Sequence, residues 1–518
     1  MRNLLARRRI IRGLVAGVLG LAVSAAIAGP ATAQEQPGGT AGVDRYLDKV
    51  RHDPVRLRAF LRDLPKGGDL HTHLSGAVST ESLIGYAADD DMCINTTTFV
   101  AAMPPCGPEQ RPAQDAEKDP DFRAQVIGAW SMEGFKPGQG ETGHDHFFAT
   151  FGKFGAVTDR HRPQMLAEVV EKAAQQNESY MESMTTRQGG AVFQLSQRID
   201  YDDDFARMRE KLLADGEMAR IVAAAKAEID RDETQYRGLL RCGTPQASRG
   251  CDLTLRYIHQ VGRLSEPKVV FAYMLYGFEL AEAEGRYVAL NLVQPEDGAV
   301  ALRDYRLHMR MLDYLRGLYR RAHITLHAGE LAPGLVPDAE LRYHIREAVV
   351  TGHAERIGHG VDARYEDDWP GLMRLMAKRH VMVESPLTSN AQILGVEGRS
   401  HPFNTYRAFG VPIALATDDE GVSRSDLTTD YQRAVTSYRL RYGDLKKLAR
   451  TALDHAFLDG SRLWRGPDDF RPAAACARDR LGTPNPSRAC RGLLDGSAKA
   501  RLQWRQEARF QTFERRYG

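Results

Sequence analysis

From residue 160 onward, short apolar runs alternate with longer stretches of helical periodicity, and this alternation limits the possible fold more than any other feature. The runs at 179–185, 254–261, 276–281, 324–328, 356–361, 380–385 and 412–417 read as strands. Helical spacing fills 163–176, 204–228, 304–322, 338–351 and 369–378 between them. With an alternating run at 69–74, the count reaches eight strand–helix units, which predicts an α/β fold of the (β/α)8 TIM-barrel type. A doubly wound open sheet is the rival, but no Gly-x-Gly-x-x-Gly follows the first strand. A barrel of about 250 residues with insertions accounts for much of the chain's 518.

The chain divides into 1–33, a signal peptide; 34–59, a linker and N-terminal helix; 60–470, the barrel; and 471–518, a C-terminal extension. Residues 44–64 repeat apolar positions at helical spacing and lead to the breaker Pro65-Lys66-Gly67-Gly68 before the first strand. The irregular stretch 90–143 follows that strand as an insertion, and its length suits a lid or a decorated loop. Residues 498–515 form an Arg-rich amphipathic helix that reads as solvated.

The formal charge is +2, yet residues 1–33 hold Arg2, Arg7, Arg8, Arg9 and Arg12 and no acid. The rest is mildly acidic, which argues against a nucleic-acid partner and for a small-molecule enzyme. A basic start, an apolar stretch from Leu14 to Ala28 and Ala31-Thr32-Ala33 predict export with cleavage before Gln34 and no stable membrane anchor. Arg7-Arg8-Arg9-Ile10-Ile11-Arg12 leaves the twin-arginine route and ordinary secretion both open, to a periplasmic or extracellular destination. Six cysteines fall in local pairs, Cys93/Cys106, Cys242/Cys251 and Cys476/Cys490, and none has Cys-x-x-Cys spacing. Six allow 15 connectivities. Nearest-neighbour disulfides in an oxidising compartment are the simplest reading.

In Asp69-Leu70-His71-Thr72-His73-Leu74, His71 and His73 stand at i and i+2 of a strand and project to one face. They could share one metal ion, but a catalytic zinc needs further ligands. His327 in Leu326-His327-Ala328-Gly329-Glu330 and Asp418 in Leu415-Ala416-Thr417-Asp418-Asp419 also stand at strand ends, where barrel sites lie. Each has a plainer reading when taken alone. His327 and His359 fit satisfied core histidines, Asp418 and Asp419 fit helix caps, and Glu330 fits a solvated loop acid. His401 reads as structural, and His144, His146 and His259 as non-catalytic. Phe147, Phe148, Phe151 and Phe154 recur at helical spacing, which suits core first and a lid second.

Six ordered signatures within residues 60–465 resemble the adenosine deaminase family of metal-dependent amidohydrolases. They are Pro65-Lys66 with the run from Asp69 to Gly76; His327-Ala328-Gly329-Glu330; Arg356-Ile357-Gly358-His359-Gly360; Ser385-Pro386-Leu387-Thr388-Ser389-Asn390; His401-Pro402-Phe403; and Thr417-Asp418-Asp419. The export segment and cysteines resemble the secreted, growth-factor-related branch, while Asp419-Glu420-Gly421-Val422 resembles the branch acting on modified adenine nucleotides.

The resemblance implies one zinc per chain on His71, His73, His327 and Asp418, with a water in the open position. It implies that His359 orients and deprotonates that water for attack on C6 of the purine, that Glu330 protonates N1, and that Asp419 holds N7. His73, Ser75, Glu282 and Asp419 are the implied substrate contacts. Two of them depart from the pattern: Ser75 stands where the family has Asp, and Glu282 of the run 277–282 stands where it has Gly. The implied partner is a small purine nucleoside, adenosine or a relative; the oligomeric state is not readable. A two-metal amidohydrolase is one competing reading, and it would need a bridging Lys at the end of the fourth strand. A catalytically silent nucleoside-binding or signalling protein is another, and it would be expected to have lost a ligand or Glu330.

Overall fold

Eight parallel strands form the centre of the structure, a computed structural model that describes residues 37–138 and 140–518. They are β1 (Gly67–His73), β2 (Glu178–Met184), β3 (Thr254–Gly262), β4 (Tyr287–Val293), β5 (His323–Ala328), β6 (Arg356–His359), β7 (Met382–Ser385) and β8 (Ile413–Leu415). Neighbours in sequence are neighbours in the sheet. The barrel closes where Thr72 bridges Asp418: His73 N donates to Asp418 O at 3.1 Å, and Asp418 N to His71 O at 2.9 Å. The (β/α)8 expectation holds.

All seven residues of β1 and of β2 are buried, as expected for parallel strands covered on both faces. Polar residues inside the barrel are paired along its interior. Arg356 meets Glu182 and Glu384, each at 2.6 Å, and the other oxygen of Glu384 lies 2.6 Å from His71 Nδ1. This chain of alternating charge runs from the barrel interior up to the histidines at its mouth.

The fourth strand differs from expectation. Residues 276–281 lie within the helix Pro267–Ala283, and β4 follows at Tyr287–Val293. The apolar run through 269–281 exceeds strand length and opens with Pro267 at the first helical turn, both marks of a buried helix. The helix expected over 204–228 is two, Phe205–Leu213 and Glu217–Leu239, parted at Gly216 with φ +71°. Residues 44–64 likewise divide into Pro37–Val50 and Pro54–Asp63. The second begins at Pro54 because the Asp53 side chain accepts from Val55 N and Arg56 N.

The insertion is more ordered than its composition suggests. Cys93–Asn95, Ala101–Ala102 and Gln110–Pro112 make a small antiparallel sheet, and the helices Asp115–Lys118 and Pro120–Trp130 follow. The three disulfides join Cys93 to Cys106, Cys242 to Cys251 and Cys476 to Cys490, as expected. Such bridges belong to an oxidising compartment. The last helix, Ala498–Tyr517, is not a solvated element. It buries Trp504, Phe510 and Phe513, and Phe513 packs on Phe60 at 5.0 Å. Among the described residues no helix is long and apolar enough to cross a membrane; the segment 1–33 lies outside them.

Candidate metal centre and purine pocket

The strand ends bring His71, His73, His327 and Asp418 together at the C-terminal mouth of the barrel. His327 Nε2 lies 3.1 Å from His71 Nε2 and 3.3 Å from His73 Nε2, while Asp418 Oδ1 lies 3.4 and 3.3 Å from the same two nitrogens. Separations of this size are the edges of a tetrahedron whose centre is about 2.0 Å from each corner, the usual zinc–nitrogen distance.

The other ring nitrogen of each histidine decides the tautomer. His71 Nδ1 faces Glu384 Oε2 at 2.6 Å, His73 Nδ1 faces Gln260 Oε1 at 2.6 Å, and His327 Nδ1 faces Asn291 Oδ1 at 3.0 Å. Each Nδ1 therefore carries the proton, and three bare Nε2 lone pairs converge. Burial, followed by the neighbouring imidazoles, holds the His327 pKa well below its ordinary value, so it stays neutral as a ligand must. Burial also opposes charging of His71, but its contacts with Asp418 and Glu384 outweigh this and push its pKa up to about 10. The donors fit a divalent cation. One proton on His71 could answer that local pull but would leave the His73–His327 pair facing each other.

Around this centre stand the remaining candidates. His359, at φ +68°, directs Nδ1 to Asn390 Oδ1 at 2.8 Å, and Asn390 is held in turn by His401 Nε2 at 2.9 Å. His359 Nε2 is buried without a hydrogen-bond partner and lies 3.7 Å from Glu330 Oε1. Burial lowers the His359 pKa to about 4. Burial, then the charges of Asp418 and Glu296, raise that of Glu330 well above the carboxylate range. Asp418 also sits at positive φ, +62°, and Ser389 Oγ donates to its Oδ2 at 2.6 Å. Two site residues in the left-handed region mark a backbone bent to serve the site. Asp419 lies at the same mouth, with Oδ1 buried and unpartnered and its pKa pushed up to about 8 by burial. A Cβ at Gly76 would lie 1.8 Å from that oxygen, so only glycine leaves room for Asp419.

A cavity of about 350 Å³ opens onto His73, His327, Glu330, Asp418 and Asp419. Ser75, Gln260 and Gln294 supply neutral polar groups, and Phe147, Phe148 and Phe151 of the helix Gly143–Thr158 form an apolar wall. Among the described residues, none from 90–143 lines it, so the cover is the phenylalanine helix rather than the insertion. Glu282 is not at the site. It lies in the helix Pro267–Ala283, where its side chain accepts from Arg321 N at 3.0 Å. With β4 correctly placed, the residue overhanging the mouth is Gln294 at φ +77°. Sequence reading missed Gln260, Asn291 and Glu384. A signal existed for Glu384, an acid directly after the apolar run Val381–Val383 and inside strand β7.

Three histidines and an aspartate at the mouth of a parallel barrel define a metal site of the amidohydrolase kind. Residues 224–463 match the family model described as "Adenosine deaminase". Adenosine deaminase of Aliivibrio fischeri is 40% identical over 139 residues, covering 27% of this chain and 38% of that protein. Adenosine deaminase of Enterococcus faecalis is 34% identical over 136 residues, 26% of this chain and 37% of that protein. The chain thus aligns with well under half the length of these relatives. A solved Arabidopsis N6-mAMP deaminase shares the fold, at a TM-score of 0.50 and 20% identity over 77% of this chain and 96% of that one. The matched segment 224–463 is thus similar to the adenosine deaminase family, and His71 and His73 of β1, outside that segment, join His327 and Asp418 in one metal-ligand set.

Proposed function

We propose that this chain is an exported, zinc-dependent deaminase that converts adenosine, or a close 6-aminopurine nucleoside, and water to the 6-oxo product and ammonia. The observation that carries the reading is the convergence of three bare imidazole nitrogens and a carboxylate beside a buried Glu330, whose pKa burial raises above the carboxylate range. A metal held by His71, His73, His327 and Asp418 would supply the Lewis acidity that makes water nucleophilic at neutral pH.

The chain's own groups supply the rest. His359 Nε2, fixed as a lone pair by the Nδ1 contact with Asn390, takes the proton from the attacking water. Glu330, kept protonated by burial and by neighbouring negative charge, gives its proton to purine N1 and makes C6 electrophilic. Purine N7 can only accept a hydrogen bond, so its partner must donate, and a pKa near 8 makes Asp419 a donor at neutral pH. The phenylalanine wall covers the base and excludes water.

The cavity lining supports a neutral nucleoside over a nucleotide. It contains no Lys or Arg among the described residues, so a phosphate dianion would lose its hydration without a compensating cation. Nor does β4 hold a lysine to bridge a second metal. The three disulfides support export to an oxidising compartment. Ammonia release from adenosine, deoxyadenosine, AMP and adenine, and methylamine release from N6-methyl-AMP, test the reading. Adenosine should exceed AMP in kcat/KM by at least ~10², and a chelator should abolish turnover until zinc is restored. No release from any 6-aminopurine by zinc-loaded protein would end the proposal.

A further inference from the structure

The Glu330 carboxyl has no hydrogen-bond partner of its own among the described residues, so its direction comes from the backbone that carries it. That backbone is gripped from beneath. Gly329 lies at φ +72°, which turns two successive N–H groups toward one side. Both meet the same carboxylate: Gly329 N donates to Glu296 Oε1 at 3.1 Å, and Glu330 N to Glu296 Oε2 at 2.9 Å. Consecutive amides around an anion form a nest, and here a side chain of the chain itself fills it.

Further contacts hold the clamp in place. His344 Nδ1 lies 2.6 Å from Glu296 Oε1. The Arg263 guanidinium lies 3.9 Å from Glu296 Oε2 and donates through Nη2 to His327 O at 3.0 Å and Leu292 O at 2.7 Å. Arg263 and Glu296 are each 1% exposed and lie outside the cavity lining, so neither can touch substrate. The segment 327–330 is thus held by its carbonyl at one end and by two amides at the other. It cannot slide easily, because a Cβ at Gly329 would already lie 2.4 Å from Asp362 Oδ1.

We propose that Glu296, braced by Arg263 and His344, is a positioning residue that aims Glu330 at the purine. The proposal rests on the reading of Glu330 as the acid. Glu296→Gln keeps the shape but turns an amide N–H2 toward a donor, loosening one side of the nest. In zinc-loaded full chain, kcat for adenosine should fall about 10- to 100-fold, the scale of a misplaced reacting group, with KM within about threefold. Zinc should stay at one per chain.

The decisive comparison is a double-mutant cycle. In a Glu330→Gln background there is no acid left to aim, so adding Glu296→Gln should change kcat by less than about threefold. Glu296→Asp, which keeps the charge but withdraws it, should show the same pattern with a smaller loss and serves if the glutamine variant does not fold. An equal fold-loss in both backgrounds, loss of zinc in either position-296 variant, or unchanged kcat in both would overturn the proposal. Wild-type turnover in Glu330→Gln alone would instead strike the acid assignment.

Discussion

Under the proposed function Glu330 meets two opposed demands: it stands beside a cation site, which favours its anion, yet as the acid it has to reach the purine protonated. Burial and the negative charges of Asp418 and Glu296 raise its pKa and so pull toward the acid form. Glu330→Gln keeps volume and a donor but has no proton to transfer. Its kcat should therefore fall by at least ~10² while zinc content and binding of a ground-state purine analogue hold. Metal analysis and inhibitor titration on the same preparation check this, and joint loss of zinc and activity would make Glu330 structural. The metal ligands were legible because each sits in a short local pattern at a strand end. Their partners Gln260 and Asn291 were not, and Glu384 showed only as an acid beside an apolar run, because a single polar residue in a strand gains its role only when the barrel brings it to a histidine from another strand.

Elements supply what residues cannot. The helix Gly143–Thr158 buries Phe154 toward the protein and sets Phe147, itself buried, with Phe148 and Phe151 in the cavity wall. Its phenylalanine spacing reads equally as core or lid, and the structure uses it as both. Phe151→Ala should raise KM about 3- to 10-fold, the worth of one aromatic face against a base, with kcat less affected. Steady-state kinetics decides it; a fall in kcat alone would mean the wall serves chemistry rather than binding. The fourth strand was misread because periodicity cannot separate a buried helix from a buried strand over a few apolar residues. That one slip put Glu282 at the site in place of Gln294.

A second element carries a pH signature. Asp430, buried on the helix Leu427–Tyr438, accepts from Thr388 N at 2.9 Å and Thr388 Oγ1 at 3.2 Å. It thereby steadies the helix Leu387–Leu394 that presents Ser389 and Asn390. Burial pushes its pKa up to about 8. A carboxyl whose pKa rises on folding binds more proton in the native state, so it subtracts stability as pH climbs from about 4 through that value. Asp430→Asn removes the titration. Its stability relative to wild type should improve steadily between pH 5 and 8, read from denaturant midpoints at fixed salt. A pH-independent difference would mean that Asp430 is ionised throughout.

At the scale of the whole molecule, the end of the barrel opposite the site is closed by the first and last described helices together. The helix Ala498–Tyr517 runs against Pro37–Val50 and Tyr442–His455. Phe513 meets Phe60 and Tyr442 at 5.0 and 5.7 Å, and Tyr517 meets Tyr46 at 4.8 Å. Polar ties run from the helix to the barrel base: Gln506 Nε2 donates to Pro65 O at 2.9 Å, just before β1, and Lys499 Nζ to Ala456 O at 2.9 Å. The charge that made this helix read as solvated lies partly in pairs, such as Arg450 with Glu507 at 2.7 Å. Phe513→Ala should therefore cost about 3–5 kcal/mol, the usual loss for a buried phenylalanine. Because the ring lies at the far end from the metal centre, kcat of the folded fraction should stay within about twofold of wild type, as distant sites act independently. Unchanged stability would mean that the helix contributes no closure in solution. A matching loss of kcat would show that the barrel base and the strand ends at its mouth are mechanically coupled through β1.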